Sequence, residues 1–108
     1  MRSFLGVIWI ISTLGIAQAF AAGYAAAGKE VYSKKCASCH SATGEAKESV
    51  AKALKVEVHH LGSKETQTKS DADLKKVVLE GTGKMKPVAG IDAKAADDVV
   101  AYLRTLKK

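Results

Sequence analysis

The run Cys36-Ala37-Ser38-Cys39-His40 constrains this chain more than any other segment. It holds both cysteines of a 108-residue sequence, with a histidine directly after them. Two thiols separated by two residues are presented side by side by one tight turn, and four chemistries use such a pair. A Cys36–Cys39 disulfide would suit an oxidising compartment. A thioredoxin-like redox pair calls for a strand ahead of the motif, whereas the residues before Cys36 read as helix. A zinc site calls for a second ligand pair at suitable spacing, and the sequence offers none. The fourth is the attachment signature of c-type haem, Cys-x-x-Cys-His. There each thiol adds to one haem vinyl group, and the histidine gives a ring nitrogen to the iron. Cys36, Cys39 and His40 are read in this way, as the site of one covalent haem c with its iron.

The first residues point to where such a chain works. Arg2 precedes an almost wholly apolar stretch from Phe4 to Ala22, and Ala17-Gln18-Ala19 and Ala19-Phe20-Ala21 offer small-residue exits. Charge, apolar core and small residues follow in the order of a secretory signal peptide. The expectation is a leader over residues 1–21, removed on export, and a domain over 22–108 in the periplasm. The competing arrangement keeps the leader as a membrane anchor, since a stretch of that length nearly spans a bilayer.

A domain that short buries a modest core and needs a staple. Beyond the leader it has no tryptophan, and its aromatics are Tyr24, Tyr32 and Tyr102. A large, flat, mostly apolar cofactor would fill the middle. The formal charge of the chain is +6, and the leader contributes only Arg2, which leaves +5 for the domain. The lysines are scattered. They read as a solvated surface or as steering toward an acidic partner; export argues against a nucleic-acid partner.

The domain reads as all-α. Residues Ala25 to Lys35 form a first helix, with Val31, Tyr32 and Lys35 near one face and Gly28 one turn before Tyr32. A short helix is expected over Ser49 to Lys55, and the polar stretch His59 to Lys69 reads as loop. Ser70, with Asp71 and Asp73 behind it, marks a helix start, and Gly81 marks its stop. Gly81 to Gly90 is a loop. Asp92 caps a last helix to about Leu106, whose Ala96, Val99, Val100, Leu103 and Leu106 recur at helical spacing.

An iron bound only by His40 would stay open to small molecules, so a second ligand is sought. Met85 sits in Gly81-Thr82-Gly83-Lys84-Met85-Lys86-Pro87. Its thioether is a soft ligand that raises the potential, the glycines let backbone run close to a flat ring, and Pro87 stiffens the loop. His59 and His60 are the alternative ligands. Their other reading is as surface histidines or hydrogen-bond donors to a haem carboxylate.

From about Tyr24 to Leu106 the chain resembles the class I monohaem cytochromes c, of the small bacterial type. The resemblance rests on Gly28 and Tyr32 in the first helix, Cys36 to His40, the Gly83-Lys84-Met85-Lys86-Pro87 loop, and the closing Val99-Val100-Ala101-Tyr102-Leu103. It implies three to five helices around one haem. The first and last of them would cross near right angles where Gly28 lets the backbones approach and Tyr102 packs beside Tyr32. It also implies a monomeric electron carrier, not an enzyme, with His40 and Met85 as iron ligands. Its partners would be a membrane reductase or a terminal oxidase, with no nucleic acid and no membrane insertion. An open sixth site, as in a peroxidase or gas sensor, is the rival reading. Many members have a proline after the motif whose carbonyl orients the histidine; here none occurs between Cys39 and Pro87. A carbonyl near Ala53 or Leu54 is expected to serve instead.

Overall fold

The structure, a computed structural model, describes residues 23–108. The expected leader over 1–21 and its removal lie outside those residues. Among the described residues no helix is long and apolar enough to cross a membrane.

The described residues form six helices and no strand: α1 (Ala25–Lys35), α2 (Ala37–His40), α3 (Glu48–Leu54), α4 (Lys64–Gln67), α5 (Asp71–Glu80) and α6 (Ala93–Thr105). The four longer ones lie where the sequence places them. Two single turns raise the count above the expected three to five: α2 within the cysteine motif, and α4 inside the stretch read as loop. The local signals work as read. Ser70 Oγ accepts from the Asp73 N–H at 3.1 Å and Asp92 Oδ1 from the Ala95 N–H at 2.7 Å. These bonds satisfy donors that a helix start otherwise leaves open. Gly81 ends α5 at φ 77°, a conformation that favours glycine.

The core forms where α6 lays its apolar stripe against α1 and α5. Ala96, Val99 and Leu103 are buried against Tyr32 of α1 and Val78 of α5. α1 packs on α6 more extensively than any other pair of helices. The reason is Gly28: a Cβ built there would lie 1.9 Å from the Asp98 carbonyl oxygen, so only glycine admits this approach. One turn on, the rings of Tyr32 and Tyr102 meet with centroids 5.0 Å apart, tilted by 59°, a favourable arrangement for two aromatic quadrupoles.

Each end of this pair is tied by polar groups. Tyr24, at the start of α1, has no side-chain cap of its own. Instead its N–H donates to the buried Asp98 carboxylate of α6 at 2.8 Å, and Lys94 Nζ reaches the other oxygen at 2.9 Å. The Tyr24 N–H first, and Lys94 second, hold the Asp98 carboxyl below the usual carboxylate range. At the far end, Arg104 donates to Asp71 Oδ1 and to the carbonyls of Gln67 and Lys69, all within 2.9 Å. The Gln67 amide donates to the Leu61 and Leu103 carbonyls, each at 2.9 Å. α4 and the chain leading into α5 are thus lashed to the end of α6. That fixes one wall of the cleft described next.

Candidate haem site

The motif begins as α1 ends. Cys36 caps α1, and the N–H groups of Cys39 and His40 bond back to its carbonyl at 3.2 and 3.0 Å. That turn is α2. It leaves Cys36 half-buried, Cys39 exposed and His40 half-buried, with both cysteines free thiols. A disulfide between them is therefore not part of this structure. Among the described residues no cluster of three or more His, Cys, Asp or Glu could hold a metal ion by itself.

The backbone after the motif is held under strain. Ser41 has φ 61° and ψ 168°, a region that residues with a Cβ rarely occupy. The Tyr32 hydroxyl reaches down from the α1–α6 core, lies 3.2 Å from the His40 carbonyl oxygen and donates to the Ser41 carbonyl at 2.5 Å. Burial, with Cys36 and Tyr102 beside it, pushes the Tyr32 hydroxyl up to about 12, so this donor keeps its proton.

The second segment is the loop after α5. The Thr82 N–H donates to the Met85 carbonyl at 2.9 Å and the Met85 N–H returns the bond at 2.8 Å, closing a four-residue turn. Gly83, its first central residue, has φ 52°, as a type II′ turn requires. Behind the turn, the Val88 N–H donates to the Val78 carbonyl at 3.1 Å and pins the loop to α5.

These two segments, with α3 and the chain after it, enclose a cleft of about 830 Å³. That lies within the usual range of cofactor pockets, roughly 300–1,000 Å³. Cys36, Cys39, His40 and Met85 all line it, together with apolar Val50, Leu54 and Val56. Inward it adjoins a smaller cavity of about 120 Å³, which Cys36, His40 and Met85 also line. Lys34, Lys35, Lys84 and Lys86 border the cleft; the fold brings these two pairs together, and the other lysines lie elsewhere.

The donor set suits a haem. Burial holds His40 below the ordinary histidine range, so the ring is neutral with a nitrogen lone pair to give. Burial, and then Cys39 nearby, push the Cys36 thiol up to about 11. Nδ1 of His40 is buried and finds no partner in the polypeptide. A carbonyl near Ala53 or Leu54, expected to orient it, makes no bond to it. Of the two alternative ligands, His59 is exposed and lines only the outer cleft. His60 is committed elsewhere, its Nδ1 accepting the Gly62 N–H at 2.8 Å.

A family model described as cytochrome C oxidase, cbb3-type, subunit III matches residues 23–103, a span that contains every residue named above for the site. The chain belongs to this cytochrome c family. No curated protein matches the cytochrome. Among solved structures it is similar to the KustC0563 c-type cytochrome, at 24% identity, over 75% of this chain and 98% of that one, with a TM-score of 0.64. That likeness supports the fold, a small all-α cytochrome c. Membership of the family brings haem c with iron and haem-based electron transfer, an activity of carriers more than of enzymes, and one typical outside the cytoplasm.

Four features of the cytochrome were beyond sequence reasoning: the α4 turn, the buried Asp98, the commitment of His60 to its own loop, and the placement of Thr66 and Lys69 on the inner cavity wall. None has a local signature. The α4 turn and the burial of Asp98 depend on contacts with distant segments, whereas the His60 bond is made to the N–H two residues on.

Proposed function

We propose that this protein is a one-electron carrier working outside the cytoplasm, with one haem tethered by Cys36 and Cys39 and its iron held between His40 and Met85. One observation carries the reading: these four side chains, from the α2 turn and the loop after α5, line a single largely apolar cleft. When bound, haem supplies an iron centre that accepts and returns one electron. Each thiol adds its sulfur and its hydrogen across one vinyl double bond, a redox-neutral step that leaves a thioether. His40, kept neutral by burial, gives a nitrogen lone pair. Met85 gives a thioether sulfur from a closed turn and favours a higher potential. With His40 and Met85 both holding the iron, small molecules would be kept off it, which suits transfer more than catalysis.

The lysines bordering the cleft meet acidic faces on partner proteins and guide brief encounters. Such contacts are small in area, and the protein works as a monomer. Its partners are a membrane reductase and a terminal oxidase; the description of its family, which names an oxidase subunit, supports the second. The leader directs export and is then removed.

Absorption spectra of the native protein test the ligation. The expected result is a low-spin oxidised form with the weak methionine-to-iron(III) charge-transfer band, turned high-spin and open to carbon monoxide by Met85→Ala. A native protein that is already high-spin and binds carbon monoxide rapidly would overturn it and favour a sensor or peroxidase. The mass of the native protein tests export, since retention of Arg2 would show an anchored carrier.

A further inference from the structure

The turn that carries His40 is short, and its end is held from outside. α2 has four residues, so the carbonyls where it stops have no partner within the turn. The N–H groups are settled locally: His40 donates to the Cys36 carbonyl at 3.0 Å and Ser41 to the Ala37 carbonyl at 2.9 Å. The Cys39 carbonyl accepts from the Lys47 N–H at 3.0 Å. The next two carbonyls, of His40 and Ser41, both face one group from another helix. The Tyr32 hydroxyl lies 3.2 Å from the first and donates to the second at 2.5 Å. The Ser41 carbonyl has one further contact, from the Gly44 N–H, at a long 3.4 Å.

Tyr32 is a rigid post for this purpose. Its side chain is fully buried, with the ring against Tyr102 and the α6 core. The backbone that it holds is not a relaxed one. Ser41 occupies a region that persists only where the surroundings impose it. The His40 ring has no comparable support of its own. A histidine on a metal is usually oriented by a hydrogen bond to its second ring nitrogen. His40 Nδ1 is buried and has no such partner in the polypeptide. The direction of the ring is therefore set from its backbone.

Resting on the haem reading above, we infer that Tyr32 is a positioning residue for the iron ligand. Its hydroxyl fixes the backbone on the far side of His40, and with it the plane in which the imidazole meets the iron. Cys36 and Cys39 tether the haem from the near side of the same turn. Cofactor and ligand are thus both referred to one rigid element, the α1–α6 core, and not to the loops around the cleft. A ligand held to a fraction of an ångström needs support of this kind, from a side chain that is itself locked by packing. The hydroxyl acts through His40, so its loss is read at the iron and not only in the stability of the fold.

The test compares Tyr32→Phe with Val100→Ala in the haem-loaded protein. Val100 is buried in α6 and lines neither the cleft nor the inner cavity, so its truncation loosens the fold without touching the His40 turn. In the oxidised protein the haem methyl protons take paramagnetic shifts set in part by the imidazole plane. Tyr32→Phe should change the order or spread of those shifts, and the g values of the oxidised iron in electron paramagnetic resonance. Val100→Ala should leave both as in the native protein. An unaltered pattern in Tyr32→Phe would overturn the assignment, as would an equal change in Val100→Ala. The native protein gives a second reading that needs no variant to fold. The Tyr32 hydroxyl proton should appear as a slowly exchanging signal close to Ser41, and exchange at the rate of an exposed tyrosine would sink the proposal. The attached mass keeps the two readings apart. A Tyr32→Phe protein with haem attached and native shifts counts against the positioning role alone, whereas a native protein without attached haem removes the reading beneath it.

Discussion

The Tyr32 hydroxyl donates to the Ser41 carbonyl at 2.5 Å, so a side chain of the helix-crossing core holds the backbone just beyond His40. Tyr32→Phe keeps the ring contact with Tyr102 and loses this bond. The expected loss is about 1–2 kcal/mol, read from denaturant unfolding of the haem-loaded protein. The cost depends on pH. The native hydroxyl titrates at about 12, against 10.0 when free. Its contribution is complete below the free value and is lost as pH rises through the native one. The gap between native protein and variant should therefore narrow across that alkaline window.

Ser41→Gly should act in the opposite direction. Ser41 sits at φ 61° and ψ 168°, where a Cβ costs about 1–3 kcal/mol. Glycine removes that cost but adds freedom to the unfolded chain. A net gain of about 1 kcal/mol is expected, measured by the same unfolding curve. Ser41→Ala should bring no gain, since it keeps the Cβ.

Gly28→Ala should be severe. The added Cβ would meet the Asp98 carbonyl oxygen at 1.9 Å, and backbone cannot swing away as a side chain can. α1 and α6 must part, with an expected loss of about 3 kcal/mol or more. Ala26→Gly, on the exposed side of the same helix, should cost only about 1 kcal/mol. By helix propensity alone Gly28→Ala would gain about what Ala26→Gly loses, so a gain at position 28 would show that the close approach does not set the requirement.

Asp98→Asn should weaken the junction between the start of α1 and α6 by about 1–2 kcal/mol near neutral pH. The Asp98 carboxyl is held below its ordinary range by the Tyr24 N–H and by Lys94. Its benefit is present above the unfolded value, about 3.9, and is lost as pH falls through the lower native one. Native and variant curves should converge at acid pH. Lys94→Ala should change little, because that side chain is 72% exposed.

The longer helices were legible because their signals are local. Ser70 and Asp92 cap, Gly81 stops, and the apolar spacing from Ala96 to Leu103 marks the face that is buried. α4 was read as loop because Lys64–Gln67 has no apolar stripe; it is fixed through Gln67 and Arg104. Asp98 lies beside Asp97 in a helix with charged positions on its other faces, and only the distant Tyr24 N–H explains why one of the two is buried. At the site, Cys36, Cys39 and His40 could be read because one continuous segment carries them. That Met85 shares their cleft was expected from its glycines and Pro87. That His40 Nδ1 is buried without a partner could not be read, since it depends on what packs around the ring in three dimensions.

Among the described residues Tyr32 and Val99 are the largest side chains that are fully buried, and the small cavity they line lies beside a cleft of about 830 Å³. A polypeptide arranged around a hollow is finished only by what enters it. Chains that fail to be loaded would present their apolar lining to water and to proteases, and would be cleared. The amount of this protein in its compartment should therefore follow the supply of haem more closely than the rate of its own synthesis.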